Sequence, residues 1–245
     1  MSEEFYVGYV PKAPPSLAKI IARIATGLLL AGLVVAATLI FDQPPFAASR
    51  FEYGEYRDYS GVIEEWPYPL LITSDSSYLL VAPGKHGLSE SVRGMEGKSV
   101  RLKGALIVRG ADRMLEVLPG SISNATASIG RVTNQRIELG SVTLRGEIVD
   151  SKCYLGVMNP GSGKVHRDCA VRCISGGAPP ALIVRDADGD SRVLLLIGTD
   201  DRALNREVLP FVAEPLEISG RLVRSGATLI LRSEPGHFRR LSGIE

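Results

Sequence analysis

Apolar residues fall along this chain in two distinct patterns. Between Ile24 and Phe41 the run IATGLLLAGLVVAATLIF holds 18 consecutive residues without a charge. At about 1.5 Å per residue a helix of that length spans roughly 27 Å, the scale of a bilayer's hydrocarbon layer. Ile20, Ile21 and Ala22 carry the run past Arg23, whose long side chain can snorkel to the interface, so a transmembrane helix is expected over residues 20–41. Beyond it the apolar positions come in short stretches rich in Val, Ile, Leu and Tyr, broken by Gly and Pro, which is the pattern of small barrels or sandwiches. The segment DQPPFAASRF joins the two regimes, and residues 42–53 read as a linker.

The β-rich part repeats itself. At an offset of 116, Leu79, Leu80 and Val81 fall on Leu195, Leu196 and Ile197, and Leu88, Val92 and Met95 on Leu204, Val208 and Phe211. Val100, Leu102, Gly104, Leu106 and Gly110 then fall on Leu216, Ile218, Gly220, Leu222 and Gly226. A register held over so long a stretch, apolar on apolar and Gly on Gly, argues for two copies of one unit. Each copy reads as five strands with a short helix between the third and fourth, because Leu88, Val92, Met95 and their counterparts lie at i, i+4 and i+7. VRLKGALIV and LEISGRLV alternate at period two around a central Gly, as a bent barrel strand does. The expected architecture is therefore mainly β: a transmembrane helix, then two tandem OB-like barrels over residues 54–120 and 140–240. A Ser/Asn/Thr/Gly-rich spacer at 121–139 separates them.

The first strands match at a different offset, 85, placing Gly61, Val62 and Ile63 on Gly146, Glu147 and Ile148. The second copy thus carries 31 additional residues, and all three cysteines lie within them, in an insertion read as 150–180. Cys153 ends a strand, NPGSGK forms a turn, and HRDCAVRCI is expected to be a short helix stopped by Gly176-Gly177. On that helix His166, Cys169 and Cys173 stand at i, i+3 and i+7 and share a face. With Cys153 they make three sulfurs and one imidazole, the donor set of a tetrahedral site for zinc or another transition metal. Two other readings stay open. A disulfide from Cys153 to Cys169 or Cys173 would staple the insertion's ends, whereas Cys169 to Cys173 across one helical turn strains the geometry. A reactive thiol would draw on His166, Lys164, Arg167 and Arg172 for its base and positive field.

Composition and charge narrow the functions. Net charge is +1, and without residues 1–41 the chain holds 25 basic and 25 acidic residues. No basic excess exists to track phosphates, so nucleic acid is not an expected partner. Lys12, Lys19 and Arg23 precede the apolar span while Asp42 and two prolines follow it, which places residues 1–19 in the cytoplasm. A cleaved signal peptide fits less well, since the charged leader is long and Pro-containing and Val35-Ala36-Ala37 is a weak cleavage site. GSGK at 161–164 lacks the remaining Walker residues, Met158 and Val165 standing where Gly and Ser or Thr belong. Asp186, Asp188 and Asp190 mimic a calcium loop without its Gly or terminal Glu, so Asp188-Gly189 reads as a hairpin turn. His86 and His237 lie near turns without catalytic partners, and Trp66 with Tyr68 reads as core filling where the second copy has its insertion.

GEIVDSKCYLG followed by HRDCAVRCISGG resembles a group of uncharacterised bacterial exported or membrane-anchored domains with an OB-like fold. The resemblance covers residues 145–235 and rests on D-x-x-C, then H-x-x-C-A-x-x-C. Asp150, Cys153, His166, Cys169 and Cys173 match that motif, and the group brings no established activity. The combined expectation is a single-pass bacterial inner-membrane protein with periplasmic barrels. It would be a non-catalytic accessory or assembly subunit anchored in the lipid bilayer by residues 20–41 and partnered by other membrane-protein subunits. The alternative is a periplasmic thiol-redox or metal-binding factor using Cys153, His166, Cys169 and Cys173.

Overall fold

The computed structural model describes residues 14–42, 49–125, 135–185 and 191–241. The leader through Ala13, linker residues 43–48, spacer residues 126–134 and the expected Asp188-Gly189 turn lie outside the described residues. The chain divides into two compact units, residues 1–46 and 47–245.

The first unit holds helix α1, Pro15–Phe41, which starts five residues before the expected Ile20. Pro15 occupies the first turn, where a missing N–H costs nothing and a fixed φ helps. Its most apolar 18-residue window has a mean hydropathy of 2.5, and none of that window is buried by protein. The helix is long and apolar enough to cross a membrane.

The second unit contains two five-stranded barrels. The first is built from β2 (Arg57–Glu64), β3 (Leu70–Ile72), β4 (Ser77–Val81), β5 (Ser99–Arg109) and β6 (Asp112–Val117), with β1 (Ser49–Phe51) and the short β7 (Ser123–Asn124) added against β5. The second is built from β8 (Arg136–Asp150), β9 (Pro180–Arg185), β10 (Ser191–Ile197), β11 (Pro215–Ser225) and β12 (Thr228–Arg232), with β13 (Phe238–Arg240) against β11. In each barrel the strands run in the order 4-1-2-3-5 and close by pairing 5 with 4, the third and fifth being parallel, an OB-type connectivity. The registers coincide: Leu79 pairs with Met114 and Leu195 with Ile230, while Gly61 pairs with Val100 and Gly146 with Leu216.

Period-two alternation sends each strand's side chains to two faces, and both faces are used. Inward residues fill each barrel at equivalent positions: Ile63, Leu71, Leu80, Val100, Leu102 and Leu115 in one, Ile148, Leu182, Leu196, Leu216, Ile218 and Leu231 in the other. Outward residues make a third core between the barrels. Leu70, Ile72, Leu79, Val81, Ile107 and Met114 pack with their counterparts Ala181, Ile183, Leu195, Ile197, Val223 and Ile230. The same patch of each copy therefore faces its sibling, as across a twofold axis. Trp66 and Tyr68 fill this seam, and the buried Tyr68 hydroxyl donates to the Leu196 carbonyl at 2.8 Å.

The expected helices between third and fourth strands are not formed. Residues 88–97 are successive turns, with Ser91 N–H donating to Leu88 and Met95 N–H to Val92, and Gly94 and Gly97 adopt left-handed φ. In the second copy only a 3₁₀ turn, Leu209–Phe211, appears, with Pro210 inside it. Turns closed by i+3 bonds carry Leu88 and Val92 inward as well as a helix would.

The 31 extra residues divide between two connections. Val62 pairs with Ile72 but Glu147 with Ile183, so 26 of them lie between the first two strands. The other five lengthen the β9–β10 hairpin.

Candidate metal and thiol centre

The insertion leaves β8 at Asp150 and forms one irregular helical turn, Cys153–Val157, which lies against β1, β5 and β6 of the first barrel. Tyr154 and Leu155 enter the seam, and Arg109 both stacks on the Tyr154 ring and donates to its carbonyl at 2.7 Å. After the NPGSG loop, α2 runs over Arg167–Ser175. Asp168 in its first turn and Arg172 in its last suit the helix dipole. Gly176 and the left-handed Gly177 end it as the sequence predicts, and Asn205 Nδ2 satisfies the Ile174 and Ala178 carbonyls at 2.8 and 2.9 Å. Ala170 and Ile174 face the second barrel's interior, which turns Cys169 and Cys173 toward Cys153.

Asp150 organises the donors. Completely buried, it accepts the Cys153 N–H on Oδ1 at 2.7 Å, capping that turn, while Oδ2 lies 3.1 Å from His166 Nε2. The D-x-x-C spacing is thus an i to i+3 cap, and the carboxylate behind the ring leaves Nδ1 as the nitrogen free to meet an ion. Candidate donor atoms of Cys153, His166 and Cys169 all lie within 4.8 Å of one another, and so do those of Asp150, Cys153 and Cys173. The two triads overlap at Cys153. The four residues expected from the sequence fall within these two triads, Cys173 in one and His166 with Cys169 in the other, and the three cysteines are free thiols.

The first barrel supplies a group that sequence reasoning missed. Lys85 Nζ lies 2.8 Å from Cys169 Sγ and 3.7 Å from Cys173 Sγ. Its turn is closed by Ala82 N–H on the His86 carbonyl, and from the insertion Lys152 reaches into it. Lys152, 2 % exposed, donates to the Ala82 and Gly84 carbonyls at 2.9 and 2.7 Å and pairs with Glu116 at 2.6 Å. Gly87 N–H donates to Gly176 at 2.9 Å, and a Cβ on Gly176 would fall 1.8 Å from the Lys85 carbonyl, so only glycine lets the barrels meet this closely. Compared with protein-family models, curated proteins and solved structures, the chain matches none.

The centre's electrostatics separate its thiols. The Cys153 thiol, hydrogen-bonded to Cys173, brings Cys173 down to about 7 against the opposing effect of burial, with the Lys85 charge adding to the lowering. Cys153 moves up for the reciprocal reason, reinforced by burial and by Asp150. Contact with Cys169 raises Lys85 and keeps it an ammonium. Three sulfurs, a carboxylate-oriented imidazole and a fixed ammonium fit a soft cation bound through thiolates, and they equally fit thiol chemistry. His86 and His237 are exposed, and His237 lies beside Glu234.

Proposed function

We propose that this chain is a membrane-anchored accessory subunit of a bacterial inner-membrane assembly, with its N-terminus cytoplasmic and its barrels periplasmic. In this reading a zinc-class ion held by Cys153, His166, Cys169 and Cys173 fastens the insertion across both barrels, and the role is structural rather than catalytic. The observation that carries the metal assignment is the overlap of the two donor triads at Cys153, with Asp150 behind the imidazole. Charge and architecture support the accessory role. The barrel faces formed by second and third strands, which bind oligonucleotides and oligosaccharides in many OB folds, are spent on each other, and the outer part of the chain carries no net charge.

Mild detergent extraction of the native chain, followed by metal analysis and identification of co-purifying proteins, tests both parts. The reading requires close to one equivalent of metal per chain, lost in Cys169→Ser or Cys173→Ser, and stoichiometric membrane-protein partners. A metal-free chain that runs as a lone monomer overturns it.

A further inference from the structure

Cys169 differs from its two neighbours in access. Cys153 and Cys173 are buried to 3 % and 1 % exposure, whereas Cys169 is half-buried and reached from solvent. It is also the sulfur on which Lys85 sits, at 2.8 Å. The turn that carries that ammonium is braced by the buried Lys152–Glu116 pair and the Gly87–Gly176 bond. A sulfur partly open to solvent, beside an ammonium and with a second thiol in reach, has the placement of a peroxide-sensitive cysteine. Cys153 Sγ is that second thiol, within 4.8 Å, and rotation about its side-chain bonds closes the remaining gap. Cys173, one turn along the same helix, is the poorer partner for Cys169 on geometric grounds.

We propose that Cys169 is an oxidation site for hydroperoxides and that Cys153 is the thiol that resolves it. In the first step the Cys169 sulfur attacks the outer oxygen of the hydroperoxide. The O–O bond breaks, Cys169 becomes a sulfenic acid, and the alkoxide or hydroxide leaves with the thiol's proton as alcohol or water. In the second step Cys153 attacks the Cys169 sulfur, its own proton joins the departing hydroxyl as water, and a Cys153–Cys169 disulfide forms. Two thiols are oxidised and one hydroperoxide is reduced. Lys85 Nζ, 2.8 Å from the Cys169 sulfur, is the donor that would meet the leaving oxygen in this step. The product ties the end of β8 to α2 and leaves Cys173 free. This chemistry belongs to the metal-free centre and does not depend on the metal assignment.

The test uses the full chain in detergent, stripped with a chelator and treated with one equivalent of hydrogen peroxide or tert-butyl hydroperoxide. Intact mass should fall by two hydrogens, and peptide mapping should recover Cys153 joined to Cys169. In Cys153→Ser a dione reagent that traps sulfenic acids should label Cys169. Lys85→Met should slow the first step by about tenfold or more while Lys85→Arg keeps it, with unfolding temperature recorded for each variant. Mapping of the unsubstituted chain decides the matter if a variant does not fold. Label on Cys153 or Cys173 instead of Cys169, a Cys153–Cys173 disulfide as first product, or undiminished oxidation in Cys169→Ser would overturn the proposal. Repeating the treatment after adding zinc reports separately on the metal reading: protection supports it, and undiminished oxidation refutes it while leaving the peroxide chemistry standing.

Discussion

Replacing Lys152 by Met tests whether the two barrels are locked together by a buried charge. Lys152 and Glu116 are 2 % and 6 % exposed at their side chains and lie 2.6 Å apart, and all three ammonium donors are used, on Glu116, Ala82 and Gly84. Met keeps the length and loses the charge. Glu116 is then left buried without its cation, keeping the hydrogen bond from the Tyr56 hydroxyl, and two carbonyls lose their donor. Removing one member of a buried pair costs about 3–5 kcal/mol, which for a unit of this size lowers the unfolding temperature by roughly 6–20 °C. Adding Glu116→Gln removes the stranded charge yet keeps an acceptor for Tyr56, so the double variant should recover about 1–3 kcal/mol of the loss. What remains is the two unsatisfied carbonyls, worth about 1 kcal/mol or slightly more each. Thermal melts followed by circular dichroism on the four-member cycle give the numbers. A shift below about 2 °C in Lys152→Met, or a double variant as damaged as the sum of the singles, would refute the reasoning.

Two further substitutions probe the barrels themselves. A Cβ on Gly146 would fall 2.2 Å from the Ile183 carbonyl, so Gly146→Ala should destabilise by about 1–3 kcal/mol or more in chemical denaturation. Gly236→Ala, which meets nothing within 4 Å, should stay within about 0.5 kcal/mol. Leu79→Ala and Leu195→Ala occupy equivalent seam positions and should each cost about 2–5 kcal/mol; two clearly unequal values would contradict the twofold reading of the seam.

The repeat was legible because OB-type barrels constrain both faces of their strands. Ile63 and Ile148, or Leu80 and Leu196, had to stay apolar to fill each barrel, and Leu79 and Leu195 to fill the seam, so the pattern survives in both copies, at one offset through the last three strands of each barrel and at shorter offsets before them. The helix expected around Val92 failed because i, i+4, i+7 spacing only says which residues point inward. Gly94, Gly97 and Pro210 let turns deliver the same residues. In the site, the cysteines and His166 announced themselves by residing in the insertion, and the α2 periodicity set their common face. Asp150 entered only through a motif, and its double role in holding the Cys153 turn and His166 needed coordinates. Lys85 gave no signal, since it lies 84 residues from Cys169 and reaches it through a pairing of barrels that periodicity does not encode.

The turn that carries Lys85 exists in both copies, and the difference between them isolates what the centre requires. Ala82 N–H closes it on His86 in the first copy and Gly198 N–H on Arg202 in the second, although the left-handed residue moves from Gly84 to Asp201. Position 85 corresponds to Asp201, so one scaffold presents a cation in one copy and an anion in the other. Each charge matches its surroundings: Lys85 faces sulfurs, and Asp201 meets Arg232 at 2.6 Å on the surface. Asp201→Asn keeps a residue that tolerates left-handed φ and gives up a half-exposed ion pair, a loss of about 1 kcal/mol at most. Lys85→Asp instead removes the cation and places a like charge beside the thiols. The Lys85 charge lowers Cys173, which stands at about 7, and a carboxylate in its place pushes the thiol up, because a neighbouring anion disfavours the thiolate. Alkylation rate against pH should therefore show its midpoint displaced upward in Lys85→Asp and unmoved in Asp201→Asn. A midpoint that stays put or falls in Lys85→Asp would mean that the first barrel contributes nothing to the chemistry of the second.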